Sequence, residues 1–238
     1  MDEEVKAYQA GGGLTYDTTA RQEENKYNRI EVPRGSEYWI VLPDGTRVWL
    51  NAATELKYPV RFVGKERRVY LSGEAYFEVQ RDTTKPFIVV MNGNEVRVLG
   101  TEFNVRSYKD EKCQFTTLVT GKVLLTTSDR KCMELLPNEQ GIVDPQGELR
   151  KEQVDVALYT AWKDGNFVFR KQCLENIMEI VERWYDLKVT FEDEWCKQVS
   201  FSGNVERYDD FSKLAEMLEA TGSVKFKIKN NEIYVTKR

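Results

Sequence analysis

A strand–glycine–strand unit that comes round three times constrains this chain more than any other feature. Val69-Tyr70-Leu71-Ser72-Gly73-Glu74-Ala75-Tyr76-Phe77-Glu78-Val79 is echoed by Val96-Arg97-Val98-Leu99-Gly100-Thr101-Glu102-Phe103-Asn104-Val105. Leu118-Val119-Thr120-Gly121-Lys122-Val123-Leu124-Leu125 is a fainter third copy. A repeated β segment cornered at glycine predicts stacked β-hairpins, in a sandwich or solenoid-like array, and argues against a βαβ sheet. The apolar pattern slips by one residue after Gly100 relative to Gly73, which argues against a regular β-helix. The same texture runs from Ile30 to about Val156, with turn signals at Pro43-Asp44-Gly45, Asn92-Gly93-Asn94 and Pro137-Asn138. Val69, Leu71, Ala75, Phe77 and Val79 alternate with Tyr70, Glu74, Tyr76 and Glu78, so one buried and one wet face are expected.

The flanks read differently. Residues 1–28 are polar, carry Gly11-Gly12-Gly13 and show no apolar period, which predicts a flexible linker. From about Leu158, Phe167-Val168-Phe169 reads as a short strand, and Leu174, Ile177, Met178, Val181 and Tyr185 recur at helical spacing. Leu187, Val189 and Phe191 alternate as a strand, and Val199 and Phe201 open the next. Asp209 can cap a second helix bearing Phe211, Leu214, Ala215 and Leu218, which Gly222 can stop. Val224, Phe226 and Ile228 alternate with lysines, Asn230-Asn231 suits a tight hairpin, and Ile233 and Val235 close the sheet. The expected architecture is an all-β domain over 29–157 and a small α+β domain with two βαβ-like halves over 158–238.

Catalytic chemistry is poorly provided for. The chain has no histidine, which removes the commonest neutral base, the commonest zinc ligand and the Ser-His-Asp and Cys-His arrangements. Cys113, Cys132, Cys173 and Cys196 form no C-x-x-C pair. Their spacing permits Cys113–Cys132 and Cys173–Cys196 disulfides; four buried free thiols are the favoured alternative. Gly121-Lys122 lacks the rest of a phosphate loop, and there is no G-x-G-x-x-G or G-x-S-x-G, so no cofactor is expected. Glu192-Asp193-Glu194 lacks calcium-loop spacing and reads as a turn, so no metal is expected.

Weaker signals can be weighed in the same way. Glu74 and Glu78 would stand about 13 Å apart on one strand face, beyond the about 5–9.5 Å of a glycosidase pair. They read as an outward polar face. Tyr38, Trp39, Trp49 and Tyr58 are expected in the core, with a sugar-stacking platform as the alternative. Trp184-Tyr185, at the end of the first helix, is also expected in the core. The net charge is −4, and the nearest approach to a basic stripe, Lys65-Glu66-Arg67-Arg68, is interrupted by glutamate. It reads as a solvated strand edge, and no nucleic-acid partner is expected. No apolar run approaches the about 20 residues of a membrane span. The acidic start Met1-Asp2-Glu3-Glu4-Val5 is not a signal sequence, so any anchor or export signal is expected upstream.

Several motifs together go beyond generic β structure. They are Val32-Pro33-Arg34-Gly35, Leu42-Pro43-Asp44-Gly45-Thr46-Arg47-Val48-Trp49-Leu50-Asn51-Ala52, Tyr58-Pro59, the Gly73 unit, Pro86-Phe87 and the Gly100 unit. In this order and spacing, residues 32 to about 143 resemble the periplasmic portion of FecR-type anti-sigma factors. The tail from Trp162 to Val235 resembles the carboxy-terminal domain of that family, which is similar to the short signalling domains of TonB-dependent transducers and secretins. Asn138 stands where the family usually has glycine.

The resemblance implies the periplasmic part of a single-pass inner-membrane protein of a Gram-negative bacterium. Residues 1–28 would be its membrane-proximal linker. Its partner would be the signalling domain of an outer-membrane TonB-dependent transducer. An extracytoplasmic-function (ECF) sigma factor would be held only through a cytoplasmic segment absent from this chain, and the membrane reached only through an upstream helix. The family offers no catalytic residues. A strand added to an exposed sheet edge is the expected binding mode, with Val199, Phe201, Ile233 and Val235 as candidate edge residues. A carbohydrate-binding β module of a glycan-uptake system and a carboxylate-based hydrolase are the rival readings.

Overall fold

The computed structural model describes residues 7–10, 13–16 and 26–238. It forms two units, one of residues up to Pro33 with Glu37–Val156, the other of Arg34–Ser36 with Ala157–Arg238. As the sequence predicts, an all-β unit precedes a small α+β unit.

The first unit holds fifteen strands among its described residues. They are β1 (Ala7–Ala10), β2 (Gly13–Tyr16), β3 (Tyr27–Val32), β4 (Tyr38–Val41), β5 (Arg47–Leu50), β6 (Thr54–Pro59), β7 (Arg67–Glu78) and β8 (Phe87–Met91). There follow β9 (Asn94–Val98), β10 (Glu102–Ser107), β11 (Gln114–Thr120), β12 (Val123–Thr126), β13 (Cys132–Leu135), β14 (Glu139–Val143) and β15 (Leu149–Gln153). One sheet runs β1-β2-β4-β5-β7-β10-β11-β14-β15 and the other β3-β6-β7-β8-β9-β12-β13, so the two share β7 and wrap one core, close to a barrel.

The threefold repeat is now explained. Up to Ser72, β7 pairs with β6 and β8; from Gly73 it pairs with β5 and β10. Gly100 likewise separates β9 in one sheet from β10 in the other, and Gly121 separates β11 from β12. Each copy is a crossing between the two sheets at a glycine. Gly73 has φ +119°, and a Cβ there would lie 2.7 Å from Thr54 Cα. Gly100 has φ +148°, and its Cβ would lie 2.7 Å from Arg81 Cα. Positive φ and close backbone approach together leave room only for glycine. Inside, Phe77 stacks on Phe103 at 5.1 Å and leans on Phe87 of the other sheet at 6.1 Å.

Three expectations about the first unit are corrected. The outer side of β7 is not wet at Glu74 and Tyr76, which are both buried. Asn51 and Asn104 donate to the two carboxyl oxygens of Glu74 at 2.8 and 2.9 Å. Close to it, Arg106 grips Glu111 through Nε and Nη2, and the Tyr108 hydroxyl donates to Ala52 O, so polar side chains cover that face. Lys65-Glu66-Arg67-Arg68 is not simply a solvated edge, because Arg67 and Arg68 pair with β8, Arg67 is buried, and Arg68 and Glu66 are held in ion pairs. Arg67 shares the inward face with Val69 and Leu71 and is only 2% exposed. Its guanidinium donates to Asp44, Gln80 O and Lys85 O and lies over Phe87.

The third correction concerns the flexible linker expected over 1–28. It contains β1 and β2, the latter pairing in parallel with the edge of β4, and β3 begins at Tyr27. An open strand edge offers backbone donors and acceptors that a polar, glycine-rich segment can use without an apolar pattern. The remainder of that linker, including Gly11 and Gly12, lies outside the described residues. Asn138 adopts φ +67°, taking the left-handed conformation in which asparagine can replace glycine.

The second unit contains a helical turn α1 (Ala157–Thr160), β16 (Asn166–Cys173), α2 (Leu174–Tyr185), β17 (Lys188–Phe191), β18 (Ser200–Glu206), α3 (Phe211–Glu219), β19 (Val224–Lys229) and β20 (Glu232–Lys237). Two 3-10 segments, Ala161–Asp164 and Glu194–Gln198, link them. The two long helices touch a two-stranded sheet, β16-β18, and a three-stranded sheet, β17-β20-β19. Trp184 of α2 packs on Phe167, Gly203 faces Met217 of α3, and Phe211 of α3 meets Phe226. Trp184 is buried as expected, and Tyr185 half-buried. Asn230 and Asn231 both take positive φ, making the tight hairpin between β19 and β20. The cap of α3 is Asp210 rather than Asp209: Asp210 is extended, and its carboxylate accepts from Ser212 N at 2.9 Å.

Candidate protein-interaction surface

The second unit has short sheets, and short sheets have edges. Four of its five strands are edge strands: β16, β17, β18 and β19. Backbone groups on an open edge can pair with another chain, and folded proteins usually guard them with lysine, bulges or brevity.

Three of the four edges carry such guards. β19 places Lys225, Lys227 and Lys229 at alternate positions, all exposed. β17 is four residues long and begins with Lys188. β16 is broken by a register shift between Phe169 and Gln172, carries Arg170 and Lys171 there, and has Lys171 at φ +48°. Only β18 runs seven residues, Ser-Phe-Ser-Gly-Asn-Val-Glu, without lysine or proline. Among the described residues β16 is its sole strand partner.

The expected edge residues fall in different places. Phe201 lies on β18, its ring buried toward the helices. Val199 immediately precedes β18; its amide donates to Cys196 O, and its carbonyl accepts from Leu174 N. Ile233 and Val235 are a correction: β20 is the central strand, paired in parallel with β17 and antiparallel with β19, and both side chains are fully buried. A strand arriving from a hairpin looked terminal, but the parallel pairing of β17 encloses it. The lysine alternation of β19 was the signal that marked the true edge.

The exposed large apolar groups of this unit are Trp195 (52% exposed) and Tyr208, which the sequence reading did not single out, and Ile228 (50%), which it placed on the apolar side of β19. Lys237 Nζ sits 5.0 Å from the Trp195 ring. Glu232 is held below the usual carboxylate range by the Tyr234 hydroxyl and by Lys188, and the same contact raises the Tyr234 phenol.

The rival chemistries find little support in the first unit. A recess of about 480 Å³ is lined by Asp44, Arg67, Gln80, Arg81, Asp82 and Thr83. Its two carboxylates hold loops together. Asp44 accepts from Arg67 and Thr46, while Asp82 accepts from Thr84 and Lys85 and is held below its usual range first by the Thr84 hydroxyl. Tyr38 and Tyr58 pack inward, whereas Trp39 and Trp49 pair across β4 and β5 on the opposite face, Trp49 against Tyr76. The four aromatics therefore share no platform, and Trp39 and Trp49 are not in the core, because β5 turns Val48 and Leu50 inward instead.

All four cysteines are free thiols; Cys196 is buried and raised by burial, whereas Cys132 is exposed. No group of three or more Cys, Asp or Glu among the described residues could hold a metal ion. No helix among them is long and apolar enough to cross a membrane.

The described residues thus form a β-rich unit and an α+β unit whose strand β18 has a free edge. Residues 28–124 match the FecR protein family and residues 166–235 match FecR, C-terminal. Two crystal structures of a "putative anti-sigma factor" from Parabacteroides distasonis ATCC 8503 each share 31% identity with the chain and superpose with a TM-score of 0.81. They cover 89% and 90% of this chain, and 99% and 100% of their own. No curated protein matches in sequence. The chain belongs to the FecR family of anti-sigma factors, whose members are regulatory proteins.

Proposed function

We propose that this chain is the periplasmic part of a transmembrane sigma regulator. It relays a signal from an outer-membrane TonB-dependent transducer to a cytoplasmic ECF sigma factor, and it does so by protein–protein binding. The observation that carries this is the match of both FecR domains in order, together with an anti-sigma structure similar over nearly its whole length. The second unit is the receiving end, and β18 is where a strand of the transducer's signalling domain adds. A free edge there supplies a ladder of backbone hydrogen bonds, while Phe201 anchors the strand from below. The sigma factor is reached only through a cytoplasmic segment preceding this chain.

The test is a calorimetric titration of the chain with the signalling domain of the outer-membrane transporter encoded beside it. Saturable binding with slowed amide exchange along Ser200–Glu206 is expected. No binding at high micromolar concentration would overturn the relay; binding without protection of β18 would move the site elsewhere.

A further inference from the structure

The three-stranded sheet has two unlike faces. Phe226, Ile233 and Val235 point to the helices, with Phe226 against Phe211 and the other two fully buried. Strand alternation sends Lys188, Lys225, Lys227, Lys229 and Tyr234 to the other side. All four lysines are exposed, so among the described residues no element covers them. Lys188 reaches Glu232 at 3.4 Å, and Glu232 also accepts from Tyr234; among the described residues Lys225, Lys227 and Lys229 form no ion pair within 4 Å, though Lys229 also draws on Glu232. The outer face of β16-β18 differs: Val168, Ser202 and Asn204 line it, with Arg170 and Glu206 as opposite charges at its ends. A chain of net charge −4 thus places four exposed lysines on one small sheet face.

We propose that this lysine face of β17-β20-β19 docks an acidic patch on a protein partner; the partner's identity rests on the relay reading. The charge is mixed, with Glu232 and Tyr234 at the centre of the lysines. A uniformly anionic lipid or nucleic-acid surface would meet that glutamate as a like charge, whereas a protein can place a hydrogen-bond donor opposite it. Tyrosine ringed by charge also suits the middle of a protein interface. The lysines steer the encounter and set register, and their effect fades with salt as the screening length falls.

The experiment compares the wild-type chain with the triple variants Lys225→Glu/Lys227→Glu/Lys229→Glu and Lys225→Gln/Lys227→Gln/Lys229→Gln. Each binds the same signalling domain across a salt series, with thermal unfolding as the check on folding. Charge reversal is expected to weaken binding roughly tenfold or more at low salt and to flatten the salt dependence, with the glutamine variant between. Unchanged affinity and salt slope in the reversal variant would overturn the docking face while leaving the relay intact. Wild-type chain that fails to bind would bring down the relay reading and this proposal together. Phosphatidylglycerol vesicles are the second probe. Vesicle binding lost on charge reversal, with signalling-domain affinity unaffected, would assign the face to lipid and overturn the proposal.

Discussion

The two units place charge differently on their sheets. The first buries it: Arg67, Glu74 and the Arg106–Glu111 pair sit within or against its sheets, hydrogen-bonded except at Arg67 Nη2. The second buries two arginines, Arg183 and Arg207, off its strands, keeps charge on its strand surfaces and leaves a seven-residue edge open. Buried polar groups tie loops to one geometry, because a broken partner is costly where water cannot substitute. Open edges and uncovered faces do the reverse and leave free energy for another chain to release. The first unit is built as a frame and the second as a contact.

A pair of glycines probes this contrast most severely. Gly73→Ala puts a Cβ against Thr54 Cα in a positive-φ backbone, and the loss is expected to be about 3–4 kcal/mol by urea denaturation. Gly203→Ala, on β18, meets the ring edge of Phe169 and the end of Met217 at 2.9 and 3.0 Å. Its backbone is not in the left-handed region and the methionine can move, but the Phe169 ring is buried, so a smaller loss of about 1–2 kcal/mol is expected. Equal losses at the two positions would remove the distinction between a rigid crossing and a yielding edge.

These glycines also show what the sequence made legible. Gly73, Gly100 and Gly121 stood out because a crossing between sheets repeats the same local chemistry, so the all-β unit could be read from pattern. The partners of β20 could not, because the pairing of Lys188–Phe191 with Glu232–Val235 is long-range and parallel and leaves no local mark. Glu74 and Arg67 were misplaced for a related reason. A polar residue at an alternating position reads as outward or solvated until the donors or acceptors that enclose it, here Asn51 with Asn104 and Asp44, are brought across the fold.

The second test is of the buried charge itself. Burial pushes the Glu74 carboxyl above its ordinary value of 4.5, against the opposing pull of Arg106 and the two asparagine amides. A raised folded-state pKa favours the protonated native state. Its contribution to stability is complete below the unfolded value and is lost as pH rises through the folded one. Glu74→Gln removes that titration. The stability of wild type relative to this variant is expected to fall from pH 4.5 upward, by roughly 1.4 kcal/mol for each unit of upward shift. Denaturation midpoints across that range measure it. A difference that grows with pH would mean the surrounding donors outweigh burial.

The smallest expected effect sharpens the other side of the comparison, where charge is at the surface. Asp210 and Asp209 are adjacent carboxylates at the start of α3, and only one caps it. The Asp210 carboxylate accepts from both the amide and the hydroxyl of Ser212, which hold it below its usual range. Asp209 instead reaches Lys213 one turn along, at 2.6 Å, an ion pair that solvent screens. A cap satisfies an amide that the helix cannot, so Asp210→Ala should lower the melting temperature of the second unit by roughly 4–8 °C. Asp209→Ala should hardly move it. Because the Asp210 pKa is depressed, its contribution is present above the unfolded value and is lost as pH falls through the folded one, opposite in sign to Glu74. Calorimetry of both variants at neutral pH and again near pH 3 decides the matter: the Asp210→Ala deficit should shrink in acid, and a deficit that persists there would assign its effect to packing instead of capping.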